Sequence, residues 1–158
     1  MINSIPLKAP WGIGLSRNLK INKPKSITIE GNKYTLFRDK KGEVSMLDSI
    51  CPHRGADLSQ GKVIDNCIQC PYHGWEFDSN GKLISVPSTK SCVPKKGDVD
   101  SFKVVESGGF MWMVDSVEDT LPTKYCDELF DDSWTKVYGS KVLKGNIVDW
   151  IMNGVDIS

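Results

Sequence analysis

The sequence predicts an all-β fold, an antiparallel β-sandwich or small barrel. Short runs rich in β-branched and aromatic residues recur along it, Gly, Asn and Asp punctuate them at hairpin spacing, and the rhythm is broken only by two loop-like stretches and a helical C-terminus. Ser26–Glu30, Lys33–Arg38 and Glu43–Leu47, separated by Gly31-Asn32 and by Asp39 to Gly42, form a meander. Cys67–Gln69, Trp75–Phe77 and Lys82–Ile84 make a second group, with Asn80-Gly81 offered for a tight hairpin turn. Phe102–Glu106 and Phe110–Val114 flank Gly108-Gly109 as a last hairpin. Pro87 to Asp98 reads as a crossing loop, and the acidic stretch after Asp115, with Pro122, as a long connection. Trp134 to Ile147 could hold one more strand pair. Val148, Ile151, Met152 and Val155 share a helical face, the start of a helix that is cut off.

At 158 residues the chain suits one domain of 1–115 with an extension over 116–158. Twenty basic and twenty acidic side chains cancel, which removes the positive field that nucleic-acid binding uses. The charge is uneven: residues 1–50 carry nine Lys/Arg against four Asp/Glu, and residues 101–158 five against ten. From Asp115 to Asp132 seven carboxylates face one lysine, the composition of a solvated loop. No apolar run approaches the ~20 residues that span a bilayer, and the first ten residues lack a signal-peptide pattern. The reading is a soluble, cytoplasmic protein with neither a membrane nor a nucleic acid as partner.

Five cysteines (Cys51, Cys67, Cys70, Cys92 and Cys126) make an odd count, against a disulfide framework. The two histidines of the chain, His53 and His73, each follow a cysteine by two or three residues, in Cys51-Pro-His53-Arg-Gly-Ala-Asp57 and Cys70-Pro-Tyr-His73-Gly-Trp75. Sixteen residues lie between His53 and Cys70. In both clusters proline follows the cysteine and glycine follows soon after the histidine, so the backbone can turn tightly. Two similar loops, each offering one thiolate and one imidazole, suit a metal centre. Tetrahedral zinc accepts two Cys and two His, but one residue between Cys51 and His53 makes convergence on a single small ion awkward. On two irons the ligands need not converge.

These loops resemble the Rieske [2Fe–2S] fingerprint, in which two cysteines hold one iron and two histidines the other. The resemblance implies Cys51 and Cys70 on the inner iron and His53 and His73 on the outer, within a Rieske-type sandwich. Arg54, Tyr72 and Trp75 become candidates for tuning or shielding the cluster. High-potential Rieske proteins carry a further cysteine in each loop, joined as a disulfide; Ala56 and Tyr72 stand here, so that bridge cannot form and the potential is expected toward the lower end of the Rieske range. Cys67 and Cys92 read as packed thiols, and Cys126 as incidental.

The continuations His-Arg-Gly, Asp57-Leu-Ser59, His-Gly-Trp, Phe77, Gly81 and Val86-Pro87 are similar to the amino-terminal part of Rieske non-haem iron oxygenases, above all ring-hydroxylating and O-demethylating subunits, over about residues 11 to 114. The resemblance implies a ferredoxin or flavin reductase as electron donor, and the protein's own oxygenase domain or a neighbouring subunit as acceptor. Asn153-Gly-Val-Asp156 matches the start of the N-x-x-D-x-x-H segment of these enzymes, which makes Asp156 a candidate electron-bridging residue and places the first mononuclear-iron ligand at position 159. A mononuclear Fe(II) site is thus expected only if the chain continues beyond Ser158, since a 2-His-1-carboxylate triad cannot be built from histidines already used. The expected function is one-electron transfer, as the electron-entry part of an oxygenase whose iron domain these residues lack. A free-standing Rieske electron carrier and a zinc-binding structural module are the alternatives.

Overall fold

A computed structural model of the chain describes residues 10–87, 94, 96–115, 121 and 127–138. Cys92, Cys126, Asn153, Asp156, the helix expected over 148–158 and most of the loop expected over 87–98 lie outside the described residues. The strands are β1 (Trp11–Leu15), β2 (Lys25–Ile29), β3 (Asn32–Arg38), β4 (Val44–Asp48), β5 (Lys62–Ile64), β6 (Cys67–Gln69), β7 (Glu76–Phe77), β8 (Leu83–Ser85), β9 (Ser101–Ser107) and β10 (Phe110–Val114). They form a six-stranded sheet in the order β1-β10-β9-β4-β3-β2 and a four-stranded sheet in the order β5-β6-β7-β8. Every strand pairing is antiparallel. The fold is the expected antiparallel sandwich, close to a barrel.

β3 and β4 form the wall between two cores, because side chains alternate across a strand. Tyr34, Leu36 and Met46 point into one core with Leu19, Ile29, Met111 and Met113. Phe37 and Leu47 point into the other, with Leu58, Ile68, Phe77, Leu83 and the two loop cysteines Cys51 and Cys70. Burial of β3 on both faces is why its central residues read as a continuous run, Tyr-Thr-Leu-Phe.

Several elements differ from expectation. β1 and β5 were not legible: β1 carries Gly12 and Gly14 and is paired along one edge only, to β10, with a bulge between the glycines. The β2–β3 turn is Glu30-Gly31 rather than Gly31-Asn32, with φ of 48° and 81°, because pairing Ile29 with Asn32 keeps Ile29 in the core. The β7–β8 connection is not a two-residue Asn-Gly turn. The Asp78 carboxylate accepts the N–H groups of Asn80 and Lys82 at 2.9 Å each, and of the turn residues only Gly81 takes positive φ. Of the strand pair expected over 134–147, residues 134–138 hold no strand, and Trp134 and Val137 are exposed; the rest lies outside the described residues. In the acidic connection Asp127–Leu129 form a short 3-10 turn.

One ion pair clamps the large sheet. Arg38 meets Glu106 through two hydrogen bonds of 2.9 and 2.5 Å, and its other donors reach the carbonyls of Leu19, Gly42 and Ser16. The guanidinium holds the Glu106 carboxyl below the usual carboxylate range, against an opposing effect of burial. A depressed carboxyl pKa means that the unfolded chain binds the proton first. The pair's contribution is therefore present above the ordinary glutamate value and disappears as pH falls through the lower folded value. The urea midpoint is expected to drop below about pH 4, and Glu106→Gln to weaken the protein at pH 7 while flattening that acid limb. An unchanged acid limb in the variant would show that other carboxylates govern it.

Candidate metal centre

The two loops that carry the Cys and His residues repeat one backbone pattern. In the first, leaving β4, the Cys51 N–H donates to the Ala56 carbonyl at 2.9 Å and the Gly55 N–H to the Cys51 carbonyl at 2.8 Å. In the second, between β6 and β7, the Cys70 N–H donates to the Trp75 carbonyl at 2.7 Å and the Gly74 N–H to the Cys70 carbonyl at 3.1 Å. Gly55 and Gly74 take φ of 72° and 71°, the left-handed conformation that closes each loop. Pro52 and Pro71, with φ fixed near −65°, start each turn. Histidine stands two residues after Cys51 and three after Cys70, so the loops offer the same chemistry from different points.

The four side chains separate into a buried pair and an exposed pair. Cys51 and Cys70 are 1% and 3% exposed and sit at the edge of the core formed by Leu58, Ile68 and Phe77. Their thiols are in hydrogen-bond contact, and the N–H groups of His53 and Arg54 also point at the Cys51 sulfur. Burial pushes the Cys51 thiol up to about 11, with the neighbouring Cys70 adding to the shift and the two N–H groups opposing it. Such a sulfur stays protonated at neutral pH unless a cation takes up its charge.

The His53 and His73 rings are exposed, with centroids 4.6 Å apart at 60°. Trp75 stacks on His53 at 4.5 Å and 3°, and Tyr72 lies 3.9 Å from His73 at 30°. Four aromatic rings thus run in a row across both loops. Tyr72 is 61% exposed and forms the rim, whereas Trp75 is half-buried against the core. Partial loss of hydration holds His53 below the usual imidazole value, with His73 and then Arg54 adding positive neighbours. Arg54 itself is exposed.

Among the described residues no three His, Cys, Asp or Glu side chains gather as they would around a single ion. The donors form a sulfur pair and an imidazole pair, a division that suits two metals. Cys67, half-buried and raised by burial and by Asp78, Glu76 and Asp65, belongs to the outside of the small sheet. The sequence reading gave no role to Thr35, Ser49, Asp57 and Ser59, which join in hydrogen bonds at the base of the first loop. The spacing Asp57-Leu-Ser59 was the available signal, an Asp followed two residues later by an N–H and hydroxyl that it can cap.

Residues 11–107 match the Rieske [2Fe–2S] domain, and the chain belongs to that family. Its more particular likeness is to oxygenases. Dicamba monooxygenase, solved with non-haem iron and dicamba, superposes with a TM-score of 0.68 at 33% identity over 79% of this chain and 39% of that one. The oxygenase component of 3-ketosteroid-9-alpha-monooxygenase from Rhodococcus rhodochrous is 30% identical over 156 residues, 92% of this chain and 40% of the relative. Cholesterol 7-desaturase nvd from Hemicentrotus pulcherrimus is 32% identical over 127 residues, 78% of this chain and 27% of the relative. The chain thus spans between about a quarter and two fifths of the length of these relatives. It is an electron-transfer domain homologous to the Rieske part of non-haem iron oxygenases, and its 158 residues hold no third histidine for an oxygen-activating iron site.

Proposed function

We propose that Cys51 and Cys70 hold one iron of a Rieske [2Fe–2S] cluster and His53 and His73 the other, and that residues 1–115 form the electron-entry domain of an oxygenase. Residues 116–158 are then the acidic connection into the iron domain, with Asp156 the bridging residue. The observation that carries this reading is the division of donors across two loops of identical backbone bonding, sulfurs paired in the core and imidazoles paired at the surface.

When bound, such a cluster supplies one-electron transfer with little change of geometry. The residues of this chain set the conditions. Leu58, Ile68 and Phe77 keep water from beneath the sulfurs. Trp75 and Tyr72 fix the planes of His53 and His73, leaving the free ring nitrogens at the surface where an electron partner approaches and where a proton can be held. Arg54 stands beside His53 to offset added negative charge or to meet a partner's carboxylate. The donor is a ferredoxin or flavin reductase, and the acceptor the protein's own oxygenase domain or a neighbouring subunit. Among the described residues no helix is long and apolar enough to cross a membrane; a cytoplasmic setting is part of the proposal.

Anaerobic supply of iron and sulfide to the full chain is the test. The expected product is red-brown, with about two irons and two labile sulfides per chain; a colourless protein that takes up a single zinc instead would overturn the reading. Gain of an electron favours a proton on the free imidazole nitrogens, so the reduction potential is expected to fall as pH rises through their titration and to level off at acid pH. Voltammetry from pH 6 to 10 reads this directly. A potential independent of pH over that range would mean that no histidine is coupled to the redox change.

A further inference from the structure

The first loop leaves and rejoins the fold through a buried polar knot. Thr35, Ser49 and Ser59 are among the few buried polar side chains of the described residues. Ser49 donates its hydroxyl to Asp57 Oδ1 at 3.0 Å, and Ser59 donates to the same oxygen through its N–H at 2.9 Å and its hydroxyl at 2.6 Å. With the Ser49 proton committed, the 2.6 Å contact between Thr35 and Ser49 has Thr35 as donor. Lys33 Nζ faces the other Asp57 oxygen at 3.8 Å. Burial alone would raise the Asp57 carboxyl, but Ser59, Ser49 and Lys33 together hold it below the usual carboxylate range.

Asp57 thus ties the far end of the loop to β3, through Thr35, and to the end of β4, through Ser49. The backbone makes the same junction: Ile50 and Asp57 form an isolated bridge, and the Leu58 N–H donates to the Ser49 carbonyl at 2.8 Å. The next rung inward is the bond from Cys51 to Ala56. Displacement at Asp57 therefore reaches Cys51 and His53 within one rung. The second loop has its own tie, Gln69 to Glu76 at 2.9 Å. The disulfide that joins the two loops in high-potential Rieske proteins has no counterpart here, because Ala56 and Tyr72 stand at its positions.

We infer that Asp57 is a positioning residue, which holds Cys51 and His53 at the spacing from Cys70 and His73 that the metal centre needs. This rests on the cluster reading above. The knot takes the place of a loop-to-loop bridge by fastening the first loop to the sheet.

The test compares wild type, Asp57→Ala and Asp57→Asn in the full chain after loading with iron and sulfide. Cluster bleaching under excess chelator and the electron paramagnetic resonance spectrum of the reduced protein are recorded. Asp57→Ala is expected to lose the cluster about tenfold faster and to show shifted g values, which a remote packing change would not move. Asp57→Asn keeps an oxygen that accepts the same three bonds, and should return both properties close to wild type. Where Asp57→Ala does not fold, Ser49→Ala carries the test, with faster bleaching and a shifted spectrum expected. Wild-type lifetime and spectrum in the alanine variant, or in Ser49→Ala should that variant be needed, would overturn the inference alone, as would an asparagine variant no better than alanine. Failure of the wild type to take up iron and sulfide would overturn the cluster reading together with it.

Discussion

Cys70→Ser is expected to yield a colourless protein, its iron falling from about two per chain toward none. A serine hydroxyl is a harder and far less acidic ligand than a thiol, and iron–sulfur centres are held by thiolate. The position is 3% exposed, so water cannot readily take the vacated ligand place. The backbone bonds of the second loop do not use the sulfur: Cys70 donates through its N–H to Trp75 and accepts through its carbonyl from Gly74. The variant should therefore fold, and its urea midpoint should stay close to that of the cluster-free wild type, because serine is near cysteine in size and can keep the contact with Cys51, so that what is mainly lost is the cluster's binding free energy. His73→Ala should lose the colour as well, although its side chain is exposed and contributes little to the core. Iron–sulfur absorption retained in either variant would sink the ligand assignment. A midpoint well below that of the cluster-free wild type would show that the loop depends on the Cys70 side chain for its own structure.

How much of this was legible follows from the range of the forces involved. β2, β3, β4, β9 and β10 could be read from short runs of β-branched and aromatic residues between turn residues, since each packs one face or both against a core that local pattern reports. β1 could not: its glycines argue against a strand, and its existence depends on pairing with β10, almost a hundred residues away. The meeting of Cys51 with Cys70 and of His53 with His73 could be anticipated because metal chemistry restricts residue type and spacing together. Asp57 was not, because its role arises from Thr35 and Ser49, which a different strand and the loop entrance bring to it. The stack of Trp75 on His53 was half legible: the residue stood out, but its pairing with the histidine of the other loop is a product of folding.

Phe77→Ala is expected to cost about 3 to 5 kcal/mol, the largest loss of stability from a single core truncation argued for this chain. Phe77 is fully buried in β7, a strand of two residues, and pairs with Ile68 on one side and Leu83 on the other. Removing its ring deletes contacts with both neighbours and opens a cavity in the core that also holds Cys51 and Cys70. So short a strand has few ladder bonds to keep it in register, so side-chain packing carries more of its attachment to the sheet. A loss of this size is a large share of the roughly 5 to 15 kcal/mol that holds a domain together, so the cluster-free variant should be partly unfolded near room temperature. Loading with iron and sulfide should recover part of it, because a cluster held by Cys51 and Cys70 would bind the folded chain and not the unfolded one. Phe130→Ala provides the control: that ring is 57% exposed, and its removal should change stability by no more than about 0.5 kcal/mol. Urea unfolding of both variants, with and without the cluster, measures the difference. A loss at Phe77 of about 1 kcal/mol or less would mean that the small sheet closes around the missing ring, and that the sulfurs rest on a more compliant floor than their burial implies.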